Sequence, residues 1–398
     1  MSRPLILAAV ALPLLAAAND MRDDPLFVAR FESFRDAGYD PLTTPVDWYR
    51  PVAVIRGGGP VPQPLAAVPP AGRSVSTAAL EAAAAYAGQQ NSSALIVLRD
   101  GKLQFERYWQ GNGRESYFNP QSMSKTLLAI VVGIAAAEGH IGIDDPVGRH
   151  ISEWRDDPRG EITLRQLLQM SGGLAQLSTS YAITLDNPAV FQHFGTDFTA
   201  PILALPQADP PGTRWDYNNN ESNLLGVVVE RATGERYAGY VSKRLWQPLG
   251  LADAKLYLDR DGGTPMFSCC VLSRPLDWAL LGQLLLNDGR HGARQIVPGA
   301  WVDAMRTPSS ANPGYGFQLW LGDYALSPER PATENPNQPW SSTAFADPDT
   351  YSFRGFGYQR VWIMPSKRLV IVRAGRDWAP HWDNSVIPNT IYRGTTAD

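Results

Sequence analysis

The spacing of apolar residues changes along the chain. Short apolar runs typical of strands come first, a helical period follows in the middle, and strand-like runs return toward the end. In the first part, the apolar run at 94–98, the turn dipeptide at Asp100 and Gly101 and the β-rich run at 103–109 predict a β-hairpin. An alanine-rich stretch at 78–87 predicts a helix just before this hairpin.

Helical patterns fill the middle of the chain, and strand patterns return after it. Helices are predicted at 125–138, 163–170, 224–232 and 277–286, and Gly139 and the Ser171-Gly172-Gly173 triplet end the first two. A strand is predicted at 315–321, a second hairpin at 359–363 and 369–373, and a closing helix at 382–392. This order predicts an α+β fold in which both chain ends build one antiparallel sheet, flanked by helices, with a mainly helical part inserted between them.

The first 18 residues have the composition of an export signal. Arg3 provides a positive start, an apolar stretch follows at 5–18, and Ala16-Ala17-Ala18 provides the small residues of a cleavage site. The apolar stretch is shorter than the roughly 20 residues of a comfortable transmembrane helix. We therefore expect a signal peptide at 1–18 with cleavage near Ala18, and a periplasmic or secreted protein. The alternative is an uncleaved N-terminal anchor.

Chain-breaking residues divide the rest of the sequence into an arm and a body. Residues 19–73 are rich in proline, glycine and aromatic residues, and they include Gly57-Gly58-Gly59-Pro60 and Pro69-Pro70. This stretch is predicted to be an extended arm or linker. The body then covers 74–398, with its sheet part at about 74–125 and 265–398 and its helical part at about 126–264.

Composition narrows the function classes. Of the 398 residues 44% are hydrophobic and 19% charged, and the net charge is −4 without a basic stripe, which argues against a nucleic-acid partner. No second apolar stretch reaches membrane-spanning length, so we expect no membrane contact beyond export. The five histidines never pair at the i, i+4 spacing of a zinc site, and the sequence has no phosphate-binding or dinucleotide-binding motif. We therefore expect neither a metal nor a cofactor, and the oligomeric state stays open.

The only cysteines, Cys269 and Cys270, are adjacent in the sequence. Adjacent cysteines cannot supply the spaced ligand pairs of a structural zinc site. We expect two buried thiols at the end of a strand.

Ser122-Met123-Ser124-Lys125 is the first candidate for chemistry. A serine and a lysine three residues apart at the start of a helix lie on one face of that helix. Serine becomes a good nucleophile when a base takes its proton, and a lysine can be this base if burial lowers its pKa. The alternative is an N-capping serine with a surface lysine. The apolar helix that follows, in a chain with only five lysines, favours catalysis.

Two further segments carry polar or glycine-rich patterns near predicted element ends. In Tyr217-Asn218-Asn219, the phenol can shuttle a proton beside a lysine, and an asparagine can hydrogen-bond an amine or an amide. In Phe353-Arg354-Gly355-Phe356-Gly357, the glycines let a substrate approach the backbone, and a backbone N–H can donate to an oxyanion. Taken alone, the first segment is an ordinary polar turn and the second a glycine bulge.

Taken together and in this order, the three segments resemble the serine β-lactamase and DD-peptidase superfamily, particularly its class C-like and carboxylesterase branch. The resemblance runs from about residue 90 to 395. Three supporting segments are similar to stretches of that family, namely 162–174 with its SGGL end, 219–230 after the tyrosine, and 277–282. The resemblance implies a β-lactamase/transpeptidase-like fold.

The resemblance also implies roles for individual residues. Ser122 would attack a carbonyl carbon and form an acyl-enzyme, and Lys125 and Tyr217 would share the duties of base and acid. The backbone N–H groups of Ser122 and Phe356 would form the oxyanion hole, next to Gly355. Asn219 would orient Lys125 or the substrate.

One position departs from the family pattern. Many β-lactamases and DD-peptidases carry lysine or histidine where this chain has Phe353, and that cation helps to hold a substrate carboxylate. The glycine-containing triplet and the tryptophan-rich tail instead resemble 6-aminohexanoate-dimer hydrolase and related carboxylesterases, in which a loop tyrosine touches substrate. Tyr181 is the candidate for that tyrosine.

Three functions stay open at this point. We favour a serine hydrolase that cleaves a carboxylic ester or small amide. The first alternative is a β-lactamase or D-Ala-D-Ala carboxypeptidase, against which Phe353 argues. The second is a catalytically inactive binding module, which would not require Ser122, Lys125 and Tyr217 together.

Overall fold

The computed structural model describes residues 23–38, 40, 42–58, 65–177, 184–185, 187, 189–323, 340–376, 379 and 381–396. Its α-helices in these ranges are α1 (Pro25–Asp36), α2 (Thr77–Gln89), α3 (Met123–Ala137), α4 (Leu164–Leu168), α5 (Ala189–Phe194), α6 (Ala200–Leu203), α7 (Asn219–Thr233), α8 (Tyr237–Val241), α9 (Pro275–Leu286), α10 (Gly299–Arg306) and α11 (Val386–Arg393). Its strands are β1 (Val52–Ile55), β2 (Ser92–Arg99), β3 (Lys102–Tyr108), β4 (Ala254–Tyr257), β5 (Val271–Leu272), β6 (Arg290–His291), β7 (Arg294–Gln295), β8 (Trp320–Leu321), β9 (Tyr351–Gly355), β10 (Gln359–Met364) and β11 (Leu369–Gly375).

The central sheet joins the two ends of the body. It has six antiparallel strands in the order β3-β2-β11-β10-β9-β8. Strands β2 and β3 form the first predicted hairpin, β10 and β11 form the second, and β2 pairs with β11 so that Val97 lies opposite Ile371. The α+β prediction, with one sheet from both chain ends and helices inserted between them, is confirmed.

Helices cover both faces of this sheet. Its inner strands are therefore buried on both sides, and their sequences are nearly continuous apolar runs. Every residue of β10 and β11 is buried. Val361 and Ile363 point into the main core, which also contains α9, whereas Trp362 and Met364 point into a second core with α2 and α11. Gly282 lets α9 approach the sheet closely, because a Cβ there would overlap the side chain of Val370.

The inserted helical part carries the start of α3 and the start of α7 to the edge of the sheet. Helix α3 is apolar on all sides and is buried from Met123 to Ala135, because it is surrounded by other elements. Helix α7 packs against α3 and ends at Gly234, whose φ of 68° lies in the left-handed region typical of a helix C-terminus. No helix in the described ranges is both long and apolar enough to cross a membrane.

The segment 19–73 differs from the extended arm or linker that the sequence predicts. It contains α1, which begins where the Asp24 carboxylate accepts hydrogen bonds from the N–H groups of Leu26 and Phe27 at 2.8 and 3.3 Å. One face of α1 buries three phenylalanines against α5, and strand β1 pairs with β4 in a second sheet. Helical spacing of aromatic residues therefore outweighed the nearby chain breakers. The predicted domain boundaries themselves stay predictions, and residues 1–22 lie outside the described ranges.

Three local expectations also need correction. The strand predicted at 315–321 is reduced to Trp320–Leu321, because the φ of 51° at Gln318 interrupts the extended backbone. The closing helix begins at Val386 rather than at 382. Cys269 and Cys270 form a disulfide with each other instead of two thiols. The φ of 74° at Cys270 turns the backbone just before β5.

Candidate active site

Ser122 lies immediately before α3, where a tight turn presents its side chain. The side-chain oxygen of Asn119 accepts a hydrogen bond from the N–H of Gln121 at 3.0 Å, and Gln121 itself has a φ of 52°. The backbone of Ser122 is already helical, and its carbonyl accepts from the N–H of Lys125 at 3.0 Å. Ser122 and Lys125 therefore lie on one face of the first helical turn, as the sequence predicts.

Lys125 contacts Ser122 directly. Its Nζ donates to Ser122 Oγ at 2.9 Å and to the carbonyl oxygen of Ser268 at 2.9 Å. The side chain is almost completely buried, at 1% exposure, and this burial lowers the pKa of Lys125 to about 7. An amine with such a pKa is largely neutral just above pH 7 and can accept the serine proton.

The carbonyl of Ser268 is held by contacts to two helices. The N–H of Ser268 donates to Asn223 Oδ1 of α7 at 2.8 Å, and the N–H of Val271 donates to Ser124 Oγ of α3 at 3.2 Å. Between them lies the disulfide, in which Cys270 Sγ accepts from Asn119 Nδ2 at 3.8 Å. The acceptor that holds Lys125 is thus part of a braced segment at 268–271, which the sequence did not reveal.

Tyr217 lies on the other side of the lysine. The Nζ of Lys125 is 5.0 Å from the centre of the Tyr217 ring. Asn218 fixes the adjoining loop, since its side chain accepts from the N–H of Asn220 at 3.0 Å and donates to the carbonyl of Leu174 at 2.9 Å. Asn219 begins α7, but the hydrogen bonds of Lys125 Nζ in the described chain go to Ser122 and Ser268.

A cluster of aromatic rings, which we call the aromatic cluster, surrounds Tyr217. It consists of Trp215, Tyr217, Tyr315 and Trp320, with ring centres 5.0 to 6.4 Å apart. Tyr315 is buried and the other three rings are half-buried. Because Lys125 contacts one member, this cluster forms an apolar wall beside the nucleophile. No pattern in the sequence pointed to Trp215, Tyr315 or Trp320, which come from two distant segments.

Glu221 is a buried acid close to this wall. Its carboxylate accepts hydrogen bonds from the N–H groups of Gly172 at 3.1 Å and Leu174 at 3.4 Å. Burial raises the pKa of Glu221 to about 8. These bonds tie the SGGL segment to α7, directly after the Tyr217 loop. In the sequence, Glu221 lies in the family-like segment 219–230, ahead of the helix predicted at 224–232, and no role was predicted for it.

The glycine-containing strand closes the site from the sheet side. Gly355, at the end of β9, packs against the backbone of Pro120, and a Cβ at this position would overlap the Pro120 carbonyl oxygen. Phe356 follows and is half-buried. Phe353 is completely buried in the main core, with its ring edge-on to Trp278. The position where the family pattern has a cation is therefore a core position in this chain.

The structure brings most of the predicted site residues into one region. Lys125 bonds Ser122 and lies beside the ring of Tyr217, and Gly355 packs on the turn before Ser122. Tyr181 lies outside the described residues, so its predicted role stays untested. Within the described ranges, no group of three or more His, Cys, Asp or Glu side chains could hold a metal ion.

Comparison with known proteins agrees with this fold. Residues 77–266, slightly under half of the chain, match the family described as Beta-lactamase. Esterase EstB of Burkholderia gladioli is 29% identical over 177 residues, which are 40% of this chain and 45% of EstB, so the match spans less than half of that relative. The 6-aminohexanoate-dimer hydrolase of Paenarthrobacter ureafaciens is 25% identical over 300 residues, which are 71% of this chain and 72% of that enzyme.

Solved structures show the same architecture. A Bacillus anthracis protein provisionally described as a 6-aminohexanoate-dimer hydrolase superposes with a TM-score of 0.67 at 19% identity, covering 93% of this chain and 94% of its own. The protein thus has a β-lactamase/transpeptidase-like fold. Part of the chain is similar to the Beta-lactamase family, and its relatives include an esterase and a 6-aminohexanoate-dimer hydrolase.

Proposed function

We propose that the protein cleaves carboxylic esters or small amides through an acyl-enzyme on Ser122. The observation that carries the proposal is the 2.9 Å hydrogen bond between Lys125 Nζ and Ser122 Oγ. The lysine in this bond has a pKa of about 7 because it is buried, so it can act as a base near neutral pH. No cofactor takes part in the proposed steps.

In the first half-reaction, neutral Lys125 takes the proton of Ser122 while Oγ forms a bond to the substrate carbonyl carbon. The carbonyl oxygen becomes negative in the tetrahedral intermediate. Two backbone N–H groups, those of Ser122 and Phe356, are proposed to donate to this oxygen. The close packing of Gly355 on Pro120 supports this assignment, since it brings the end of β9 next to the turn that carries Ser122.

The intermediate then collapses, and the bond from carbon to the leaving group breaks. The leaving alcohol or amine needs a proton, and we assign its delivery to Tyr217 and protonated Lys125 together, since Lys125 Nζ lies 5.0 Å from the centre of the Tyr217 ring. In the second half-reaction a water molecule attacks the acyl carbon and gives a proton to the same pair. The bond between the acyl carbon and Ser122 Oγ then breaks, and the pair returns the proton to Oγ. The products are a carboxylic acid, the leaving group and free Ser122.

The surroundings of the nucleophile favour an apolar, uncharged acyl group. The aromatic cluster offers an apolar wall beside Lys125, and buried Phe353 supplies no cation for a substrate carboxylate. We therefore place small-molecule esters and amides before penicillins and D-Ala-D-Ala peptides. Asn219 and Tyr181 are proposed as substrate contacts on the strength of the sequence resemblance alone.

We also propose that the enzyme works outside the cytoplasm after removal of residues 1–18. The support is the apolar stretch with its alanine-rich cleavage pattern. A disulfide between Cys269 and Cys270 fits an oxidising compartment.

Hydrolysis of p-nitrophenyl butyrate by the wild type and by Ser122→Ala tests the proposed chemistry. We expect Ser122→Ala to lose at least about 10³-fold in kcat, as removal of a catalytic serine does elsewhere. Ser152→Ala is the matched control, since Ser152 is an exposed serine outside the site and should keep wild-type activity. Full activity in Ser122→Ala would refute the proposal.

The same protein tested with nitrocefin and a fluorescent penicillin decides the substrate class. We expect slow or undetectable nitrocefin turnover and no stable penicillin label. Efficient labelling at Ser122 would instead identify a penicillin-recognising enzyme.

A further inference from the structure

The peptide bond between Gly355 and Phe356 is held from behind by a buried arginine. The Nη1 of Arg360 donates to the carbonyl oxygen of Gly355 at 3.1 Å. The N–H of the same peptide group belongs to Phe356, the second proposed donor to the oxyanion. One planar group thus carries the arginine contact at its oxygen and the proposed catalytic contact at its nitrogen.

The arginine has a fixed geometry. Its Nη1 also donates to the carbonyl of Gln359 at 2.9 Å, and its Nε donates to Asn384 Oδ1 at 3.0 Å. Gln359 is fixed in turn, because its side-chain amide donates to the carbonyl of Gly375 at 2.8 Å and accepts from its N–H at 2.9 Å. Because Asn384 and the Gln359 carbonyl hold the planar guanidinium in place, the guanidinium fixes the orientation of the Gly355 carbonyl that it also bonds. The direction of the Gly355–Phe356 peptide is therefore set.

Burial of Arg360 at this position also costs free energy of folding. Arg360 is 3% exposed and lies in register between Arg354 of β9 and Arg373 of β11, which are also buried. Burial lowers the pKa of Arg360 well below its usual value, and the positive charge of Arg354 lowers it further. Asp323 is the acidic side chain that acts on it, and none of these three arginines forms an ion pair with a carboxylate among the described residues.

A buried charge without an ion pair among the described residues costs stability, so its position calls for a functional reason. The charge lies directly behind the strand end that borders Ser122. A cation bonded to a peptide oxygen draws electron density toward that oxygen and makes the N–H of the same peptide a stronger donor. Donors that are fixed and polarised before the reaction stabilise a developing oxyanion most effectively.

We propose that Arg360 is the positioning residue of the oxyanion hole, which orients and polarises the Gly355–Phe356 peptide for the tetrahedral intermediate. Arg360 does not touch the substrate in this arrangement. It acts through the peptide that does. The inference rests on the proposed acyl-enzyme chemistry at Ser122.

Arg360→Gln tests the inference, because glutamine keeps a hydrogen-bond donor but removes the charge. Loss of a complete oxyanion donor costs about 10²–10³-fold in kcat, and here the N–H itself is retained. We therefore expect kcat to fall by about tenfold while KM stays within about twofold of the wild type. Arg360→Lys keeps a positive charge on a less rigid stem, and its kcat should lie between those of the wild type and Arg360→Gln.

Arg373→Gln is the matched control. Arg373 lies opposite Arg360 on the next strand and is as deeply buried, but its guanidinium donates to Ser92, Gln90, Gly357 and Tyr358 rather than to Gly355. Both variants lose a buried guanidinium together with its hydrogen bonds to backbone carbonyls, so their denaturant midpoints should shift by similar amounts. Per active site, counted by labelling with a fluorophosphonate, Arg373→Gln should keep kcat within about twofold.

A second readout separates positioning from general destabilisation. An alkyl boronic acid forms a tetrahedral adduct with a catalytic serine and so mimics the intermediate. Its inhibition constant should rise in Arg360→Gln by the same factor by which kcat/KM falls, and it should not change in Arg373→Gln.

Unchanged kcat and boronic-acid affinity in folded Arg360→Gln would overturn the inference, and so would equal losses in Arg373→Gln. Where Arg360→Gln does not fold, Arg360→Lys carries the same test: a parallel loss of kcat and boronic-acid affinity supports the inference, and wild-type values refute it. Full activity of Ser122→Ala would instead defeat the proposed function. If Ser122→Ala is inactive and Arg360→Gln behaves as the wild type, only the role of Arg360 is wrong.

Discussion

Replacement of Lys125 by methionine should abolish activity and at the same time stabilise the fold near neutral pH. Burial lowers the pKa of Lys125 from 10.5 to about 7. Holding the lysine in the folded state at pH 7 therefore costs about 4 kcal/mol relative to the unfolded chain, where the ammonium is fully solvated. Methionine has a similar length, fills the same space and carries no charge to desolvate.

Lost hydrogen bonds offset part of this gain in folding stability. The variant removes two hydrogen bonds, to Ser122 Oγ and to the carbonyl of Ser268, and it leaves that carbonyl buried without the lysine. These losses together amount to about 2 kcal/mol. We therefore expect Lys125→Met to be more stable than the wild type by about 2 kcal/mol at pH 7, with kcat reduced by at least about 10²-fold.

The pH dependence of the stability difference between Lys125→Met and the wild type is the more specific test. The folded-state pKa lies below the unfolded-state value, so the wild type takes up a proton when it unfolds between about pH 7 and 10.5, and its stability rises with pH in this window. The advantage of Lys125→Met should shrink by about 3 kcal/mol from pH 7 to pH 10 and change sign on the way. Urea unfolding at several pH values measures this difference, with Lys102→Met as control, since Lys102 is exposed. A difference that does not vary with pH would refute the reasoning.

The remaining predictions concern other parts of the site and the N-terminus. Tyr217→Phe should lower kcat/KM for p-nitrophenyl butyrate by about 10²-fold, as expected when a general acid–base group is lost; a change below threefold would remove Tyr217 from the proton path. Burial raises the pKa of Glu221 from 4.5 to about 8, so its contribution to stability falls as pH rises through this window, and Glu221→Gln should gain stability relative to the wild type at pH 8 to 9 but not at pH 4. Mass spectrometry of protein collected from the periplasm or medium should show a chain that begins at Asn19, and an intact N-terminus there would rule out cleavage after Ala18.

The sheet and the main helices were predictable because their signals are local. The hairpin at 94–109 combines apolar runs with a turn dipeptide, and the structure places β2 and β3 there. The six-stranded sheet, in contrast, depends on the pairing of β2 with β11 across most of the chain. The order of the segments and the family resemblance indicated that pairing, and spacing alone did not.

The N-terminal segment shows where local signals mislead. Breakers such as Pro69 suggest an extended arm, but Phe27, Phe31 and Phe34 share one helical face and gain their stability from α5, more than 150 residues away in the sequence. The strand expected at 315–321 fails for a related reason. Gln318 turns the backbone there because its side chain bonds the carbonyls of Leu167 and Leu168.

For the candidate site, the sequence placed the reactive groups but not their support. Ser122 and Lys125 are three residues apart, so a helix brings them together without help from the rest of the fold. Ser268, which holds Lys125, is 143 residues further along the chain. Every residue has a backbone carbonyl, so the sequence does not show that the one of Ser268 accepts from Lys125. The same holds for the contact from Arg360 to the carbonyl of Gly355. Long-range contacts of this kind become visible only when the chain is folded.

The most direct test of the account is to trap the acyl-enzyme and locate it. The protein is mixed with p-nitrophenyl butyrate, quenched in acid within the first turnovers and digested for peptide mass spectrometry. We predict one butyryl group on Ser122 in the wild type, none in Ser122→Ala and little in Lys125→Met. A hydrolytically active protein with the butyryl group on another residue would contradict the central claim that Ser122 is the nucleophile.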